Sequence, residues 1–175
     1  MLSSKLLLTA ALSLLALPAT ASPVAAPGAS DGLIVLATEQ VEGGTLTWYG
    51  DASDSEAPTT NATVSIQACG SNDVTCYSSN RAGTGLCSSL IRQLNSPAPV
   101  NTSPRAVCFG QSGNQCCTSW SAASSNLYHW DLISAAQKIQ NSCFDDFSGS
   151  GLARNVNLGG VCVTQCLSGR ATGCN

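Results

Sequence analysis

Apolar and polar residues follow a pattern along the chain that predicts several short β-strands. Thr45–Tyr49 and Thr63–Ala68 alternate apolar with polar side chains, which is the period of a strand with one buried face. Two further strand-like pieces lie within Arg154–Gln165, on either side of Gly159-Gly160. Leu33–Ala37 is an uninterrupted β-prone run, typical of an edge strand or of a propeptide segment. No dibasic processing site follows it, which favours retention of this segment in the mature protein.

Two longer segments carry apolar residues at the spacing of an amphipathic helix. The first is Arg81–Asn95 and the second is Leu127–Cys143. Prolines after the first segment stop that helix. The apolar faces are formed by Leu86, Leu90, Ile91 and Leu94 in the first segment and by Leu132, Ala135, Ala136, Ile139 and Cys143 in the second.

A hairpin is predicted between the two helices, within Arg105–Trp120. Its strands are Ala106–Phe109 and Gln115–Trp120, and Gly and Asn in the connecting Gln111–Asn114 tolerate the positive φ of a tight turn. The adjacent Cys116-Cys117 pair must point to opposite faces of the sheet. We therefore expect these two cysteines to be tied to two different layers, with the hairpin at the centre of the fold.

The order of elements in the cysteine-bearing region is β-α-β-β-α-β. This order predicts an α+β class: a disulfide-rich sandwich in which an antiparallel sheet carries two helices on one face, as in a split β-α-β arrangement. The alternative is an irregular set of loops held by disulfides, and the two amphipathic helices argue against it. The predicted organisation is a signal peptide (1–21), an N-terminal arm (22–44) and one domain (45–175).

The N-terminal residues carry the features of a secretory signal peptide. Lys5 precedes the apolar run Leu6–Leu17, which is too short to span a bilayer, and Pro18–Ala21 supplies an A-x-A cleavage pattern before Ser22. The sequence therefore predicts a secreted protein.

The cysteines agree with an oxidising compartment, because an even number in a secreted chain indicates a disulfide framework. A zinc site is the alternative, but the paired spacings of zinc ligands are missing and the chain has 1 histidine. Aromatic residues form 5% of the chain, so disulfides are expected to supplement a core with few large side chains. The sequence leaves the pairing open. The 10 cysteines are Cys69, Cys76, Cys87, Cys108, Cys116, Cys117, Cys143, Cys162, Cys166 and Cys174.

Two sequons and the charge pattern complete the surface description. Asn61 and Asn101 each begin an N-x-S/T glycosylation signal in a predicted loop, and either sequon can also go unused. The formal net charge is −3, the acids are concentrated near the N-terminus, and the bases are scattered. Such scattered bases form no patch for nucleic acid, so no nucleic-acid partner is expected.

The sequence gives little support for catalysis. His129 lies at the start of the second predicted helix beside Asp131, an acid that the helix dipole favours at that place in any case. Asp145-Asp146 is a pair within one turn, and no G-x-S-x-G motif is present. We therefore predict no catalytic residue, metal or cofactor, and keep a small secreted hydrolase that uses His129 as the weakest alternative.

Several motifs together resemble small secreted cysteine-rich fungal proteins of the WD-like type. The motifs are LTWYG, CGSNDVTC, SPRAVCFGQSGNQCCTSW, HWDL and SGLARNVNLGGVCVTQCLSGRATGC, and the resemblance covers roughly residues 45–175. More loosely, the element order is similar to that of fungal killer toxins and necrosis-inducing effectors. That similarity implies action on another cell's surface, membrane channel or host tissue. No functional residue is carried over from those families.

The first functional hypothesis is a disulfide-rich effector or toxin-like protein that binds a partner outside the producing cell. The second is a structural or cell-wall-associated protein that binds glycan. The partner would be an extracellular protein, a membrane component or a cell-wall glycan, and the sequence does not specify the oligomeric state. A hydrophobin is disfavoured, since it would carry two Cys-Cys doublets. The candidate contact residues are Trp48, Arg105, Arg154 and Arg170, because Trp and Arg are enriched at binding hot spots.

Overall fold

The computed structural model describes residues 32–52, 69–124 and 126–174, and most strands in this part of the chain pair into one antiparallel sheet. The sheet has seven strands in the order β1-β2-β5-β6-β9-β8-β3, and β4 and β7 form a separate two-stranded pair. The strands are β1 (Leu33–Val41), β2 (Gly44–Asp51), β3 (Asp73–Cys76), β4 (Ala82–Gly83), β5 (Ala106–Gln111), β6 (Asn114–Trp120), β7 (Ser148–Gly149), β8 (Gly151–Leu158) and β9 (Val161–Ser168). The helices are α1 (Thr84–Gln93), α2 (Ile133–Cys143) and a 3₁₀ turn at His129–Leu132.

Both helices pack on the same face of the sheet, so the α+β, disulfide-rich fold class is confirmed. Each helix turns its buried stripe toward side chains that alternate along the strands. One split unit is present: α2 connects β6 to β8, and these strands run parallel with β9 between them. The sheet has more strands than the predicted β-α-β-β-α-β order contains, because the β1–β2 and β8–β9 hairpins both join it.

The central hairpin is confirmed. In the β5–β6 pair, Gln111 lies opposite Asn114, and the two residues between them form the turn. Ser112 and Gly113 have φ values of 51° and 81°, which is the left-handed geometry of a type I′ turn. Gly159 and Gly160 connect β8 to β9 in the same way, with φ values of 57° and 89°.

The element boundaries differ from the predicted ones at three places. The run at Leu33 is an edge strand, and the folded domain therefore extends back to Leu33 rather than beginning at Thr45. Helix α1 begins at Thr84, because Ala82 and Gly83 pair with β7. Helix α2 begins at Ile133, after a 3₁₀ turn.

Other predictions lie outside the described residues. These are the signal peptide, the strand Thr63–Ala68 and the sequon at Asn61. Asn101 is described, and it is exposed in a loop between α1 and β5.

All ten cysteines form disulfides, and the central doublet connects in two different ways. Cys116 bonds to Cys87 and fastens α1 to the sheet. Cys117 bonds to Cys108 in the neighbouring strand, on the face away from the helices. The expectation that each cysteine of the doublet is tied to a different layer is therefore wrong for Cys117. Its bridge stays within the hairpin, because Cys108 is its direct cross-strand partner.

The other three disulfides fix the periphery of the sheet. Cys76–Cys143 joins edge strand β3 to the end of α2. Cys69–Cys162 joins the segment before β3 to β9. Cys166–Cys174 ties the C-terminal tail to β9. Every described layer is thus cross-linked to the sheet.

The two disulfides of the central doublet should differ in their contribution to stability. Cys87–Cys116 closes a separation of 29 residues and joins two layers, whereas Cys108–Cys117 closes 9 residues within one hairpin. From chain entropy we expect a loss of about 3–4 kcal/mol in unfolding free energy for Cys87→Ala/Cys116→Ala, against about 2–3 kcal/mol for Cys108→Ala/Cys117→Ala. Guanidinium unfolding of the two double variants measures both losses. Equal losses, or a larger loss for Cys108→Ala/Cys117→Ala, would contradict the chain-entropy account of these disulfides.

Candidate functional site

Residues Tyr128–Asp131, here called the aromatic turn, present two large rings to solvent. Trp130 is 50% exposed and Tyr128 is 41% exposed, although large aromatic side chains are usually well buried. The flanking Leu127 and Leu132 are 2% and 0% exposed and anchor the turn at both ends. The exposed rings therefore belong to a segment whose neighbours are fixed in the core.

The backbone of the aromatic turn is held by the segment that precedes β5. His129 N–H donates to the Ala98 carbonyl at 3.0 Å, and Val100 N–H donates to the Leu127 carbonyl at 2.8 Å. These two hydrogen bonds run in opposite directions and fix the start of the turn to the loop before β5.

Side chains close the turn from within. Asp131 Oδ2 accepts a hydrogen bond from Tyr128 N–H at 2.8 Å, which satisfies an amide at the start of the 3₁₀ turn. Gln165, on β9, donates from Nε2 to the Leu132 carbonyl at 2.8 Å and to Thr118 Oγ1 at 2.9 Å. The turn is therefore attached to the sheet as well as to the loop, and its conformation is set before any partner binds.

The two exposed rings lie beside each other. The ring centroids of Tyr128 and Trp130 are 5.8 Å apart and the planes are inclined by 44°. Such rings combine a flat apolar face with a polar O–H or N–H at the edge. The pair offers two adjacent platforms that a ligand can contact without rearrangement of the backbone.

His129 supports the turn from below. Its ring packs on Trp48 with centroids 4.9 Å apart. Burial lowers the pKa of His129, and the carboxylate of Glu39 opposes this effect. The imidazole is thus neutral at pH 7.

Among the described residues, His129 does not form a hydrogen-bonded pair with Asp131. Its Nδ1 is buried and has no hydrogen-bond partner among the described residues. Asp131, the neighbouring acid in the sequence, accepts its bond from the Tyr128 amide. The role that this geometry gives to the imidazole is packing on Trp48.

Trp48 was expected on a binding surface, and this expectation is wrong. The residue is 3% exposed, because it shares the helix-facing side of β2 with Leu46. It forms the floor on which His129 rests. Its contribution to the site is therefore structural support.

The three candidate arginines do not form a joint surface. Arg105 Nη1 pairs with Asp51 at 2.9 Å, and its side chain lines a cavity of about 350 Å³. Its Nε and Nη2 donate to backbone carbonyls of the β6 end, so the guanidinium holds strand ends together. Arg154 donates to Thr75 Oγ1 at 3.0 Å, and Arg170 donates to the Gly173 carbonyl at 3.2 Å. Each arginine braces a different element.

A second concave surface lies on the open face of the sheet. It is a groove of about 680 Å³ between β1 and the tip of the β5–β6 hairpin. Its lining residues are uncharged. Gly110, which has no side chain, lies at the base of the groove between Thr45 and Gln115. The groove is on the opposite side of the sheet from the aromatic turn.

No cluster of three or more histidine, cysteine or acidic side chains in the described residues could hold a metal ion. No helix in that part of the chain has the length and hydropathy needed to cross a bilayer.

Tyr128 and Trp130 were not among the residues singled out from the sequence. The predicted helix began at Leu127, so both rings were assigned to an ordinary first helical turn. A signal was present: Leu127 and Leu132 are five positions apart, which is not the i, i+3, i+4 spacing of one helical face.

The fold and the site together define a disulfide-braced α+β sandwich that displays an aromatic turn. The chain matches the model of the fungal WD-like family over residues 47–174, and it belongs to that family. No curated protein and no solved structure matches the chain. Its single Trp-Asp dipeptide, Trp130-Asp131, lies in the aromatic turn, and the sheet is not a propeller of repeated blades.

The lowered pKa of His129 makes a prediction about pH. At pH values between the lowered pKa of folded His129 and about 6.5, the unfolded chain binds a proton at His129 more readily than the folded chain does. The contribution of neutral His129 to the free energy of unfolding is therefore lost as pH falls. We expect the melting temperature to drop between pH 7.5 and pH 5, and the drop to be smaller in His129→Gln.

Asp145→Asn is the matched control. Backbone N–H donors of Ser148 and Phe147, followed by Arg81, hold the pKa of Asp145 below its usual value. That contribution is lost only at more acidic pH, so Asp145→Asn should keep the wild-type slope above pH 5. An unchanged slope in His129→Gln would contradict the burial of a neutral imidazole.

Proposed function

We propose that this protein is a disulfide-braced, effector-like or toxin-like protein that acts by binding a partner outside the cell that produces it. The observation that carries the proposal is the pair of exposed rings on a turn that is fixed at both ends. Disulfides at every layer and the N-terminal apolar run support an extracellular location.

The proposed contact surface is the aromatic turn. Exposed Trp and Tyr side chains are the residue types that most often dominate binding energy. Tyr128 and Trp130 are preorganised by the buried Leu127 and Leu132, so little conformational entropy is lost when a ligand binds. None of the three arginines offers a comparable surface, because each guanidinium is hydrogen-bonded to a neighbouring part of the fold.

The proposed partner is a glycan of a cell surface or cell wall. A pyranose ring has an apolar face of C–H groups and a polar edge of hydroxyls, which complements a flat ring with a polar edge. Because the rings of Tyr128 and Trp130 are inclined to each other, each ring can stack on one of two consecutive sugars in a twisted polysaccharide. A polysaccharide repeats this pair of sugars many times along its length. The structural, cell-wall-associated role is the second candidate, and the same surface would serve it.

Retention on insoluble cell-wall polysaccharide tests this proposal. We expect Trp130→Ala to lower the apparent affinity at least tenfold, as for a binding hot spot, and Tyr128→Ala to lower it by a smaller factor. All variants should carry Asn101→Gln, so that a glycan on this neighbouring exposed residue does not cover the rings. Thermal unfolding checks that each variant is folded.

Phe147→Ala is the matched control. Phe147 is 85% exposed, and it follows the C-terminal end of α2, whereas the aromatic turn precedes the N-terminal end. Its removal takes away a comparable apolar area and should leave retention unchanged. Equal losses in Phe147→Ala and Trp130→Ala, or no retention of the parent protein, would contradict the proposal.

Growth inhibition or necrosis of target cells separates the two roles. An effector-like role predicts damage that is reduced by Trp130→Ala in parallel with retention. Retention without any effect on cells would favour the cell-wall-associated role. Release of soluble sugar that disappears in His129→Ala would instead favour the hydrolase.

A further inference from the structure

The groove between β1 and the tip of the β5–β6 hairpin is larger than the cavity beside Arg105. Its volume of about 680 Å³ lies within the roughly 300–1,000 Å³ of small-molecule sites. Tyr49 and Cys108, which line it, belong to the smaller apolar cluster on the side of the sheet away from the helices. The groove is therefore separated from the aromatic turn by the sheet itself.

The floor of the groove is a row of polar side chains on two paired strands. Every second residue of a strand faces the same side, so Thr45, Thr47 and Tyr49 of β2 share this face. In β1, Gln40 lies opposite Thr45, and Thr38 lies opposite Thr47. Each threonine carries a methyl group beside its hydroxyl, so the floor combines small apolar surfaces with hydrogen-bonding groups.

The wall opposite β1 is the tip of the β5–β6 hairpin, and its shape is fixed. Ser112 and Gly113 form the type I′ turn of this hairpin. Gln115 Nε2 donates to the Gly169 carbonyl at 3.1 Å, which ties the wall to the segment after β9. A ligand therefore meets a wall whose backbone is already in place, and little entropy is lost in ordering it.

Several hydrogen-bonding groups of the groove have no partner in the described part of the chain. Thr45 Oγ1 donates to Gln40 Oε1 at 3.3 Å. The side chains of Thr38, Thr47 and Asn114 line the groove without forming such a bond. These groups are free to bind a ligand.

Tyr49 is the most informative of the unpaired groups. The residue is 7% exposed, yet its hydroxyl forms no hydrogen bond among the described residues and is not one of their enclosed polar atoms. Polar groups of buried residues are nearly always hydrogen-bonded. Burial raises the pKa of Tyr49, so the hydroxyl keeps its proton at neutral pH and can donate it in a hydrogen bond. A ligand in the groove supplies the partner that the fold does not.

The lack of charge in the groove limits the chemistry of this ligand. None of the described residues that line it is charged. Glu39 lies opposite the buried Leu46 in the β1–β2 register, so it faces the helix side of the sheet. A phosphate, carboxylate or ammonium group would lose hydration in the groove without gaining a counter-charge. A purely apolar ligand would leave the hydroxyl and amide groups unpaired. A neutral ligand that is rich in hydroxyls avoids both costs.

We propose that this groove is a second binding site, and that its ligand is a neutral oligosaccharide. The C–H faces of the sugars pack on Val35 and on the threonine methyl groups, and the sugar hydroxyls pair with Thr47, Asn114 and the hydroxyl of Tyr49. The site does not depend on the aromatic turn. When both sites bind, one molecule bridges two polysaccharide chains, because the sites lie on opposite sides of the sheet. This last consequence alone rests on the proposed function.

Calorimetric titration of the Trp130→Ala protein with soluble laminarin and chitin oligosaccharides tests the proposal, because the aromatic turn is already impaired in this protein. Gly110→Val, added to it, fills the base of the groove. A Cβ at Gly110 meets no atom closer than 3.8 Å, so the fold accommodates the new side chain. We expect the dissociation constant to rise about tenfold or more, because the valine occupies space that the sugar needs.

Gly83→Val in the same Trp130→Ala protein is the matched control. Gly83 is also a strand glycine, it lies outside the groove, and a Cβ there meets no atom closer than 3.7 Å. This variant should leave the dissociation constant unchanged. Melting temperatures check that both glycine variants are folded.

Tyr49→Phe in the Trp130→Ala protein removes the unpaired hydroxyl alone. We expect the dissociation constant to rise about three- to tenfold, which corresponds to one hydrogen bond. The melting temperature should not fall, because the hydroxyl has no partner in the free protein. A structural role of this hydroxyl would instead lower the melting temperature.

An acidic oligogalacturonate should bind the Trp130→Ala protein about tenfold more weakly than the neutral sugars, or less, since no lining residue balances its charge. Absence of binding by this protein, binding that Gly110→Val leaves intact, or equal affinity for the acidic sugar would overturn the groove site. The aromatic turn is judged separately, by retention of the Trp130→Ala protein on insoluble polysaccharide, so the two proposals can fail independently.

Discussion

The fold depends on one constraint: two adjacent cysteines on β6 must point to opposite sides of the sheet. Cys116 reaches the helix layer through Cys87, and Cys117 closes the hairpin through Cys108. Leucine, alanine and cysteine side chains are frequent in the buried core, and few aromatic rings are among them. The disulfides restrict the unfolded chain and so add to the stability that this packing provides.

A scaffold that is cross-linked in this way can keep large aromatic side chains exposed to solvent. Burial of Trp130 would stabilise the folded state. The turn that carries this residue is nevertheless fixed in place by its hydrogen bonds and by the buried Leu127 and Leu132 on either side. Trp48 and His129 pack against each other beneath the turn, with ring centroids 4.9 Å apart. The hydrogen bonds and apolar flanks therefore keep the rings of the aromatic turn exposed.

Local patterns predicted the strands and the hairpin, because alternation and turn chemistry depend on neighbouring residues. The disulfide partners depend on which strands pair across the sheet, and spacing does not contain that information. Trp48 was assigned to the surface on residue type alone, although its alternation with Leu46 indicated the core. Trp130 was overlooked because helical periodicity was extended through a 3₁₀ turn.

The central claim is that the aromatic turn contacts a glycan, and the 3 tryptophans allow a direct test. Trp130 is half exposed, whereas Trp48 and Trp120 are each 3% exposed. In an NMR titration with soluble cell-wall oligosaccharides, the indole Nε1–H signal of Trp130 should shift progressively and the other two should stay in place. A Trp130 signal that does not move, or equal shifts of all three, would contradict the account.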